Sequence, residues 1–472
     1  MISGIIRDEN LKKYIIDYLG GHALMDSSKP GTEAATAGEE KQGLYSPFYR
    51  NYVLAMLFLG YVLNAMDRSI LGLLIEPIRN EFNASDTQLG LLGGIAFAIF
   101  YSLFGIPIAA WADRSNRKNI LAMAVFIWSG MTALCGMAVN FIMLVGTRIG
   151  TAIGEAGGTP PSHSLIADYF PISKRATAIS IYMTAIPVGA MAGSLLGGWG
   201  NEFFGWRMTF ILAGLPGIIL APIIFFSVRE PARGMSDKSA EKQKATASSL
   251  TVLDAFKFMW QHRSFRHLSL ANALHAMVIY AAATFNPAFL ARTHGMSSGD
   301  VGTLMAVLSG FGILGTFFGG FIADRLNVKY GNPRWYFWIC GASVLLTVPF
   351  NLLAYLMPNI WSVIAAFFFA LILTNVFYGP SYAMTQALAS LRMRALAASV
   401  MLFIQTMIGY NFGPLLTGIV SDYLAPTAGE NSLRYALALI VMFEIWSAIH
   451  YFYGSRYLRD DLETTRRFDI AK

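Results

Sequence analysis

Residues 52–75 read YVLAMLFLGYVLNAMDRSILGLLI, an apolar run that carries two charged residues, Asp67 and Arg68, beyond its middle. The run is long enough to cross a bilayer as a helix, which takes about 20 mostly apolar residues. An ionisable side chain at bilayer depth costs about 2.5–3.5 kcal/mol on insertion scales, so a chain that keeps one generally uses it. The stretch therefore indicates a membrane-spanning helix with functional charges.

The composition extends this interpretation to the whole chain. Of 472 residues, 55% are hydrophobic and only 13% are charged, whereas soluble domains carry about 25% charged residues. The net charge of +7 is not gathered in a basic stripe, so nucleic acid is not an expected partner. Cys135 and Cys340 lie in separate apolar runs and are expected to be small buried hydrophobes. We find no metal-ligand spacing, nucleotide loop or Gly-x-Ser-x-Gly, so neither a cofactor nor an enzyme is predicted.

Hydropathy predicts twelve membrane spans, six in each half of the chain. The first half contributes Tyr52–Ile75, Gln88–Ala112, Asn119–Val139, Ile142–Ala167, Thr177–Gly198 and Met208–Val228. The second half contributes Leu268–Leu290, Val301–Ala323, Tyr336–Leu356, Ile360–Leu388, Leu396–Val420 and Leu433–Tyr453. The predicted domains are an amino-terminal segment (1–47), a six-helix bundle (48–228), a linker (229–266), a second bundle (267–455) and a tail (456–472). Within the linker, Thr251–Gln261 is expected to form a short amphipathic helix.

The distribution of basic residues predicts the orientation of this layout. The chain has 35 lysines and arginines, and two of them, Arg68 and Arg148, lie inside predicted spans. With the amino terminus in the cytoplasm, the external loops contain only Arg79, Arg207, Arg292 and Arg434. Because cytoplasmic loops carry the excess of basic residues, both termini are expected to be cytoplasmic. Arg117 and Lys118 are interpreted as part of this topology signal.

A short repeat relates the two halves. Ala109-Ala-Trp-Ala-Asp-Arg114 ends the second predicted helix, and Gly320-Phe-Ile-Ala-Asp-Arg325 ends the eighth. Repeated bundles related by an axis normal to the membrane are one design of transporter, with the substrate bound between them. The repeat therefore favours two equivalent bundles.

These motifs resemble those of the major facilitator superfamily. Asp113-Arg114-Ser-Asn-Arg117-Lys118 is similar to the family's loop motif between the second and third helices, although Ala109 and Asn116 replace its glycines. Gly189-Ala-Met-Ala-Gly193-Ser-Leu-Leu-Gly197-Gly198 looks like the antiporter motif, with Ser194 in place of its proline. Three stretches resemble the spinster branch, whose members export sphingoid and lysolipid substrates in animals. They are Arg148–Ala156, Asp168–Pro171 and Ile186–Gly189.

Four charged residues are the candidates for proton coupling. Asp67 and Arg68 are adjacent, so on a helix they point about 100° apart, and each needs a partner on another helix. Arg148 and Glu155 share one helix face but lie about 10 Å apart along the axis. Crossed pairing between the first and fourth helices would satisfy all four charges. We expect Asp67 or Glu155 to carry the proton while the arginines tune it; the alternative is a permanent ion-pair staple.

Four further charged residues are candidates for a latch at the cytoplasmic helix ends. The resemblance implies that Asp113 faces the start of the eleventh helix and that Arg114 helps to hold the halves together. Asp324 and Arg325 are the corresponding residues of the second half. A carboxylate near a helix amino terminus is worth roughly 0.3–1 kcal/mol, and ordinary loop capping is the alternative.

Polar residues within the spans are candidates for binding the substrate, and each has an interhelical hydrogen bond as its alternative role. They are Thr159, Tyr182, Asn272, Asn286, Asn375, Tyr378 and Asn411. His275 is a candidate proton carrier, with a structural histidine as the alternative, and Glu444 carries no functional prediction. No acid–base pair is expected deep in the second half, and its apolar walls favour an amphipathic ligand.

The prediction is an all-α integral membrane protein of twelve helices in two pseudo-symmetric bundles, located in the plasma or inner membrane. We expect a proton-coupled transporter of a lysolipid or sphingoid-like molecule that works by alternating access as a monomer among membrane lipids. A proton-linked carrier of organic anions or drugs is the alternative within transport. A membrane sensor that transports nothing is the alternative from another class.

Overall fold

The structure, a computed structural model, describes residues 45–236, 252–390 and 393–470. Most of the predicted amino-terminal segment, the middle of the predicted linker and the last two residues of the tail lie outside the described residues. Helices form throughout the described ranges, and no strand occurs in them. The predicted domain boundaries stay predictions.

The first half contains six spans. They are Pro47–Phe82; Asp86–Gly93 with Ile95–Ala112; Arg117–Cys135; Phe141–Ala156 with Thr159–Tyr169; and Ile172–Met183 with Ala185–Ser227, which holds the fifth and sixth spans. The fifth span turns into the sixth at Gly205, whose φ of 77° is a conformation that glycine adopts without strain.

The second half also contains six spans. They are Arg263–His294; Ser298–Tyr330; Arg334–Leu356; Ile360–Asn375 with Tyr378–Ala387; Arg394–Gln405, the π-helix Thr406–Tyr410 and Asn411–Ala428; and Ser432–Ile440 with Phe443–Gly454. Two helices flank these spans, Val252–Gln261 and Leu458–Ile470, and a 3₁₀ turn covers Gly429–Asn431.

Length and hydropathy support the count of twelve. Nine segments of the described ranges are long and apolar enough to cross a membrane, and Ser173–Ser227 and Leu396–Gly454, with 55 and 59 residues, are long enough to cross twice. The fourth span, which consists of two helices of 16 and 11 residues, is not among the nine. The predicted all-α membrane fold is confirmed.

Short polar residues begin many of the spans, because the first main-chain amides of a helix have no partner inside it. Side-chain oxygens of such residues accept hydrogen bonds from amides two or three residues later. These residues are Ser85, Asn116, Asn140, Ser297 and Asn359. Local sequence therefore determines where several spans begin.

The membrane faces are named by the first span: it begins on the linker side and ends on the far side. Near its start, the Tyr49 hydroxyl donates to the Ser227 carbonyl at 2.8 Å, so the sixth span ends on the linker side. Arg207, between the fifth and sixth spans, donates to the Ala138 carbonyl at 2.5 Å, just after the third span. The connection between the fifth and sixth spans and the connection after the third span therefore both lie on the far side.

Two helices that do not cross the membrane pack on the linker side of the second half. The predicted amphipathic helix occupies Val252–Gln261 and buries Ala255 and Met259 in a cluster with Leu388. The tail forms the helix Leu458–Ile470, whose Thr465 hydroxyl donates to the Leu388 carbonyl at 3.0 Å. Helical structure in the tail was not predicted from the sequence.

Glycines bring the two halves together at the fifth and eighth spans. A Cβ added to Gly198 would lie 2.5 Å from the Ser298 carbonyl oxygen and 2.7 Å from the Gly302 Cα. Any side chain at this position would push the halves apart. Small residues at this contact therefore permit the close packing of the fifth and eighth spans.

We predict that Gly198→Leu raises the population in which the two halves are separated on the far side by roughly ten-fold or more. The reason is that overpacking at this contact costs about 1–3 kcal/mol. The distance between spin labels on cysteines replacing Phe203 and Trp361 measures the shift. Gly105→Leu is the matched control, since no atom would lie within 4 Å of its Cβ. An unchanged distance distribution in Gly198→Leu would contradict the prediction.

Candidate functional site

The first ion pair joins the first and fourth spans inside the first half. Arg148 Nη1 donates to Asp67 Oδ2 at 2.8 Å, and the Thr132 hydroxyl of the third span donates to Asp67 Oδ1 at 2.7 Å. Arg148 is 1% exposed and Asp67 is 3% exposed. Both carboxylate oxygens have donors, which holds the Asp67 side chain in one position.

The second ion pair has a different environment. Arg68 Nε donates to Glu155 Oε2 at 2.7 Å, which completes the crossed arrangement between the two spans. Glu155 is fully buried, whereas the Arg68 side chain is 31% exposed. Glu155 Oε1 has no hydrogen-bond partner within the described ranges. In this pair, one of the two carboxylate oxygens lacks a hydrogen-bond donor in the part of the chain described, and the arginine side chain is partly exposed.

Glycines of the fifth span place the charged turn of the first span. A Cβ at Gly189 would lie 2.5 Å from the Val62 carbonyl oxygen, and one at Gly193 would lie 2.5 Å from the Met66 carbonyl oxygen. The two helices therefore touch through their main chains directly beside Asp67. Asp67 then meets the third and fourth spans, whereas Arg68 meets the fourth and the second.

A chain of aromatic rings leads from the ion pairs to the second half. The Arg68 guanidinium lies 5.0 Å from the ring centre of Phe97 and 4.8 Å from that of Tyr101, distances typical of cation–π contacts. Phe97 stacks on Tyr410 of the eleventh span at 5.6 Å, and Tyr410 contacts Tyr280 of the seventh span at 4.2 Å. A movement of the Arg68 side chain would therefore displace rings in contact with the seventh and eleventh spans of the second half.

Charged residues close the far side between the halves. Arg292, at the end of the seventh span, donates to Glu76 at 2.5 Å and to both oxygens of Asp86 at 2.8 and 2.9 Å. The Asp422 carboxylate of the eleventh span accepts from the main-chain amides of Asp86 and Thr87 at 3.0 and 2.8 Å. A negative charge at the start of the second span also suits the dipole of that helix.

Sequence reasoning missed this far-side cluster. Arg292 was counted only as a basic residue of an external loop, and Asp422 lies just beyond a predicted span. The sequence did show that Arg292 and Asp86 each flank a predicted span on the same, external side of the membrane. Nothing local in the sequence indicated that the two belong to facing helices of different halves.

The four predicted latch residues make no ion pair with one another or with the opposite half among the residues described. Asp113, Arg114, Asp324 and Arg325 are all exposed on the linker side. Asp324 accepts a hydrogen bond from Tyr336 of its own half at 2.6 Å. In this conformation the charges that bind the two halves together therefore lie on the far side. The role of the four linker-side residues as a latch stays a prediction.

Arg117 is not the plain topology signal that the sequence suggested. It is 1% exposed and forms ion pairs with Asp168, at the end of the fourth span, and with Glu230, where Nε and Oε1 are 2.7 Å apart. These contacts tie the start of the third span to the end of the fourth and to the chain after the sixth. Its charge stabilises the linker side of the first half.

Two of the predicted substrate-binding residues lie together. Thr159 and Tyr182 line one recess in the first half with Asn64 and Ser162. The recess has a volume of about 10 Å³, which is close to the space that one water needs. Tyr182 stacks on Tyr61 with ring centres 4.6 Å apart. In this conformation the recess is too small for a larger ligand.

None of the other five predicted substrate-binding residues lines the recess of Thr159 and Tyr182. Asn272 is fully buried, and its amide bonds within the second half. Asn375 and Asn411 each donate to a main-chain oxygen one turn earlier. Asn286 lines a separate cavity of the second half, and Tyr378 is 38% exposed. Their assignment to the substrate stays a prediction.

The expectation that the second half has no deep acid–base pair is wrong. His275 of the seventh span contacts Glu444 of the twelfth at 2.8 Å, and both are buried. The two residues are 169 positions apart in the chain, so neither apolar run indicated its partner. Only the packing of the seventh span against the twelfth brings them together.

Two six-span halves, with buried charges in the first half and closed against each other on one side, define a membrane transporter of the alternating-access type. The chain belongs to the Major Facilitator Superfamily, whose family model matches residues 57–414 and 268–461. The relatives and the fold are those of transporters and not of enzymes.

The relatives agree with the predicted branch. An MFS-type efflux pump of Mycolicibacterium smegmatis is 33% identical over 421 residues, covering 88% of this chain and 94% of that protein. The sphingosine-1-phosphate transporter SPNS2 of Danio rerio is 26% identical over 436 residues, covering 86% and 84%. The crystal structure of a bacterial homolog to the human lysosomal transporter Spinster, inward-facing and unoccupied, has a TM-score of 0.82 and 34% identity over 88% of this chain and 99% of that one. The resemblance to the spinster branch is confirmed.

We predict that Arg292→Met opens the far side, because it leaves the carboxylates of Glu76 and Asp86 without their shared cation. Loss of one partner of a buried pair costs several kcal/mol, and nearby Arg79 offsets part of it, so we expect roughly a ten-fold rise in the open population. Distances between far-side spin labels measure it. Arg434→Met is the matched control, because Arg434 bonds only to main-chain and side-chain oxygens of its own half.

Proposed function

We propose that this protein is a proton-coupled secondary transporter that moves an amphipathic small molecule, lysolipid or sphingoid-like, by alternating access. One observation carries the proposal: Glu155 is fully buried with one carboxylate oxygen unpartnered, beside an Arg68 that is 31% exposed. Protonation of Glu155 would neutralise the carboxylate and release Arg68. The released cation could then bind an acidic group of the substrate.

The two carboxylates have different roles in this proposal. Asp67 accepts from Arg148 and Thr132, so its charge is well satisfied and it holds the first and fourth spans together. Glu155 has one ionic partner only and is the carboxylate that gains and loses the proton. The aromatic chain from Phe97 to Tyr280 would carry the displacement of Arg68 to the second half.

We further propose that the linker side is cytoplasmic, which places both termini inside the cell in the plasma or inner membrane. The positive-inside count supports this orientation. The far-side closure by Arg292, Asp86 and Asp422 then makes this conformation inward-facing. The similarity to an inward-facing structure supports the same interpretation.

The proposed substrate class rests on the apolar walls of the second half and on the function of a relative. The cavity that includes Asn286 is lined mainly by aliphatic and aromatic side chains, which suit an alkyl chain better than a sugar. SPNS2 of Danio rerio transports sphingosine-1-phosphate, an amphipathic anion. The relative from Mycolicibacterium smegmatis is an efflux pump, which favours a drug or organic anion as the second candidate.

We predict that Glu155→Gln abolishes the dependence of substrate flux on an imposed pH gradient, because the amide cannot take up a proton. Flux of a fluorescent lysolipid out of proteoliposomes, with and without the gradient, measures the coupling. Asp67→Asn is expected to abolish coupled flux as well, since Arg148 loses its charged partner. Glu81→Gln, on the exposed far side, is the control that should keep coupling.

Each result of this assay decides between the candidates. Gradient-driven flux that persists in Glu155→Gln would refute the coupling role. Flux of a drug or organic anion in place of the lysolipid would favour the second candidate. Thermal stabilisation by a ligand without any flux would favour a sensor. Because uncoupled variants must still insert and bind ligand, stabilisation by the same ligand serves as the check on folding.

A further inference from the structure

A buried acid–base pair of the second half has no part in the function proposed above. His275 and Glu444 have exposed fractions of 0% and 1%. His275 Nδ1 lies 2.9 and 2.8 Å from the two oxygens of Glu444, and its Nε2 lies 3.0 Å from the Thr374 carbonyl oxygen. One imidazole therefore joins the seventh, tenth and twelfth spans.

The partners of the imidazole determine how many protons it holds. A carbonyl oxygen can only accept, so Nε2 must carry a hydrogen to bond Thr374. Nδ1 can bond Glu444 only if one more proton lies between them, either on the ring or on the carboxyl. With both contacts formed, the pair therefore holds one proton more than neutral His275 with an ionised Glu444.

Loss of that proton would break one of the two contacts. With hydrogen on Nε2, the bare Nδ1 would face the Glu444 carboxylate. With hydrogen on Nδ1, the bare Nε2 would face the Thr374 carbonyl. Each arrangement opposes two acceptors at about 3 Å, so the imidazole must give up either the twelfth span or the tenth. Thr374 also lies just before residues 376–377, where the tenth span is interrupted.

The surroundings provide no other charge to hold the carboxylate. In the described part of the chain, no further carboxylate, guanidinium or ammonium interacts with the pair. The Tyr451 phenol of the twelfth span interacts with Glu444, and the Cys340 thiol of the ninth span and the Tyr382 phenol of the tenth interact with that phenol in turn. None of these carries a charge at neutral pH, so the proton shared with His275 is what balances Glu444.

A cavity connects the pair with the contact between the halves. Glu444 and Thr374 line a cavity of about 200 Å³ together with Asn286 and Asn351. Ala283 lines the same cavity, and its carbonyl oxygen would lie 2.5 Å from a Cβ on Gly72 of the first span. Gly72 follows Asp67 by five residues. A change in how the halves meet would therefore move a wall of the cavity that contains Glu444.

We propose that His275 and Glu444 form a second proton-binding site, in the second half, that is loaded in this conformation and unloads when the halves rearrange. On unloading, one proton leaves the pair for solvent through the cavity, and neutral His275 and ionised Glu444 remain. The titration of the pair is independent of the proposed function, whereas its use in transport rests on that function.

Nuclear magnetic resonance of the full chain in lipid nanodiscs, with nitrogen-15 in its seven histidines, tests the site. The signal lost in His275→Gln identifies His275. We expect its ring-nitrogen signals to change between about pH 5 and about pH 8 in the wild type, because Nδ1 loses the shared proton whether the ring or the carboxyl holds it. In Glu444→Gln it should stay neutral throughout, because the amide donates to Nδ1. His450→Gln, at a half-buried histidine, should remove another signal only. A His275 signal that is constant in the wild type, or that titrates alike in Glu444→Gln, would overturn the proposal.

Two further measurements keep the test decisive. If His275→Gln does not fold, the infrared carboxyl and carboxylate bands that disappear in Glu444→Gln report the same proton, because its loss changes one band or the other. In proteoliposomes, Glu444→Gln should lower the number of protons moved per substrate by one. A wild type that moves substrate without protons would refute the proposed coupling but leave the titration of His275 intact. A coupled wild type whose His275 does not titrate would refute this inference alone.

Discussion

Hydrocarbon supplies no hydrogen bonds, so every charge inside the first bundle must find its partner within the protein. Asp67 and Arg68 occupy neighbouring positions of one helix and point in different directions. The fourth span provides an opposite charge for each of them, through Arg148 and Glu155. The packing of the first four spans follows from this requirement.

The two ion pairs are not equivalent: the pair of Asp67 and Arg148 is held in place, whereas the pair of Glu155 and Arg68 can separate. Asp67 has donors on both oxygens and is almost fully buried, so its contacts are costly to break. Glu155 has one partner and a free oxygen, and Arg68 is partly accessible. A proton added to Glu155 therefore changes the position of one arginine without unfolding the bundle around it.

Several features of the site could be predicted from the sequence, and others could not. The crossed pairing followed from helix geometry, because 100° per residue and 1.5 Å per residue leave few solutions for four charges. The partners of Arg117, Arg292 and Glu444 could not be predicted, since no spacing or motif in the sequence indicated which helices face each other at those positions. The candidate asparagines show the same limit: most bond within their own half, and the spacing of polar residues along a helix does not reveal which of them face a cavity.

The sequence by itself determined the number of spans, the all-helical membrane fold, the relation between the halves and the network of charges in the first bundle. These depend on the length of apolar runs, on short motifs and on helical periodicity, which are local properties. Only the tertiary structure decided that the far side is closed by Arg292, Asp86 and Asp422, and that His275 meets Glu444. Those contacts join helices far apart in the chain, and their choice depends on how whole helices pack, which no local pattern specifies.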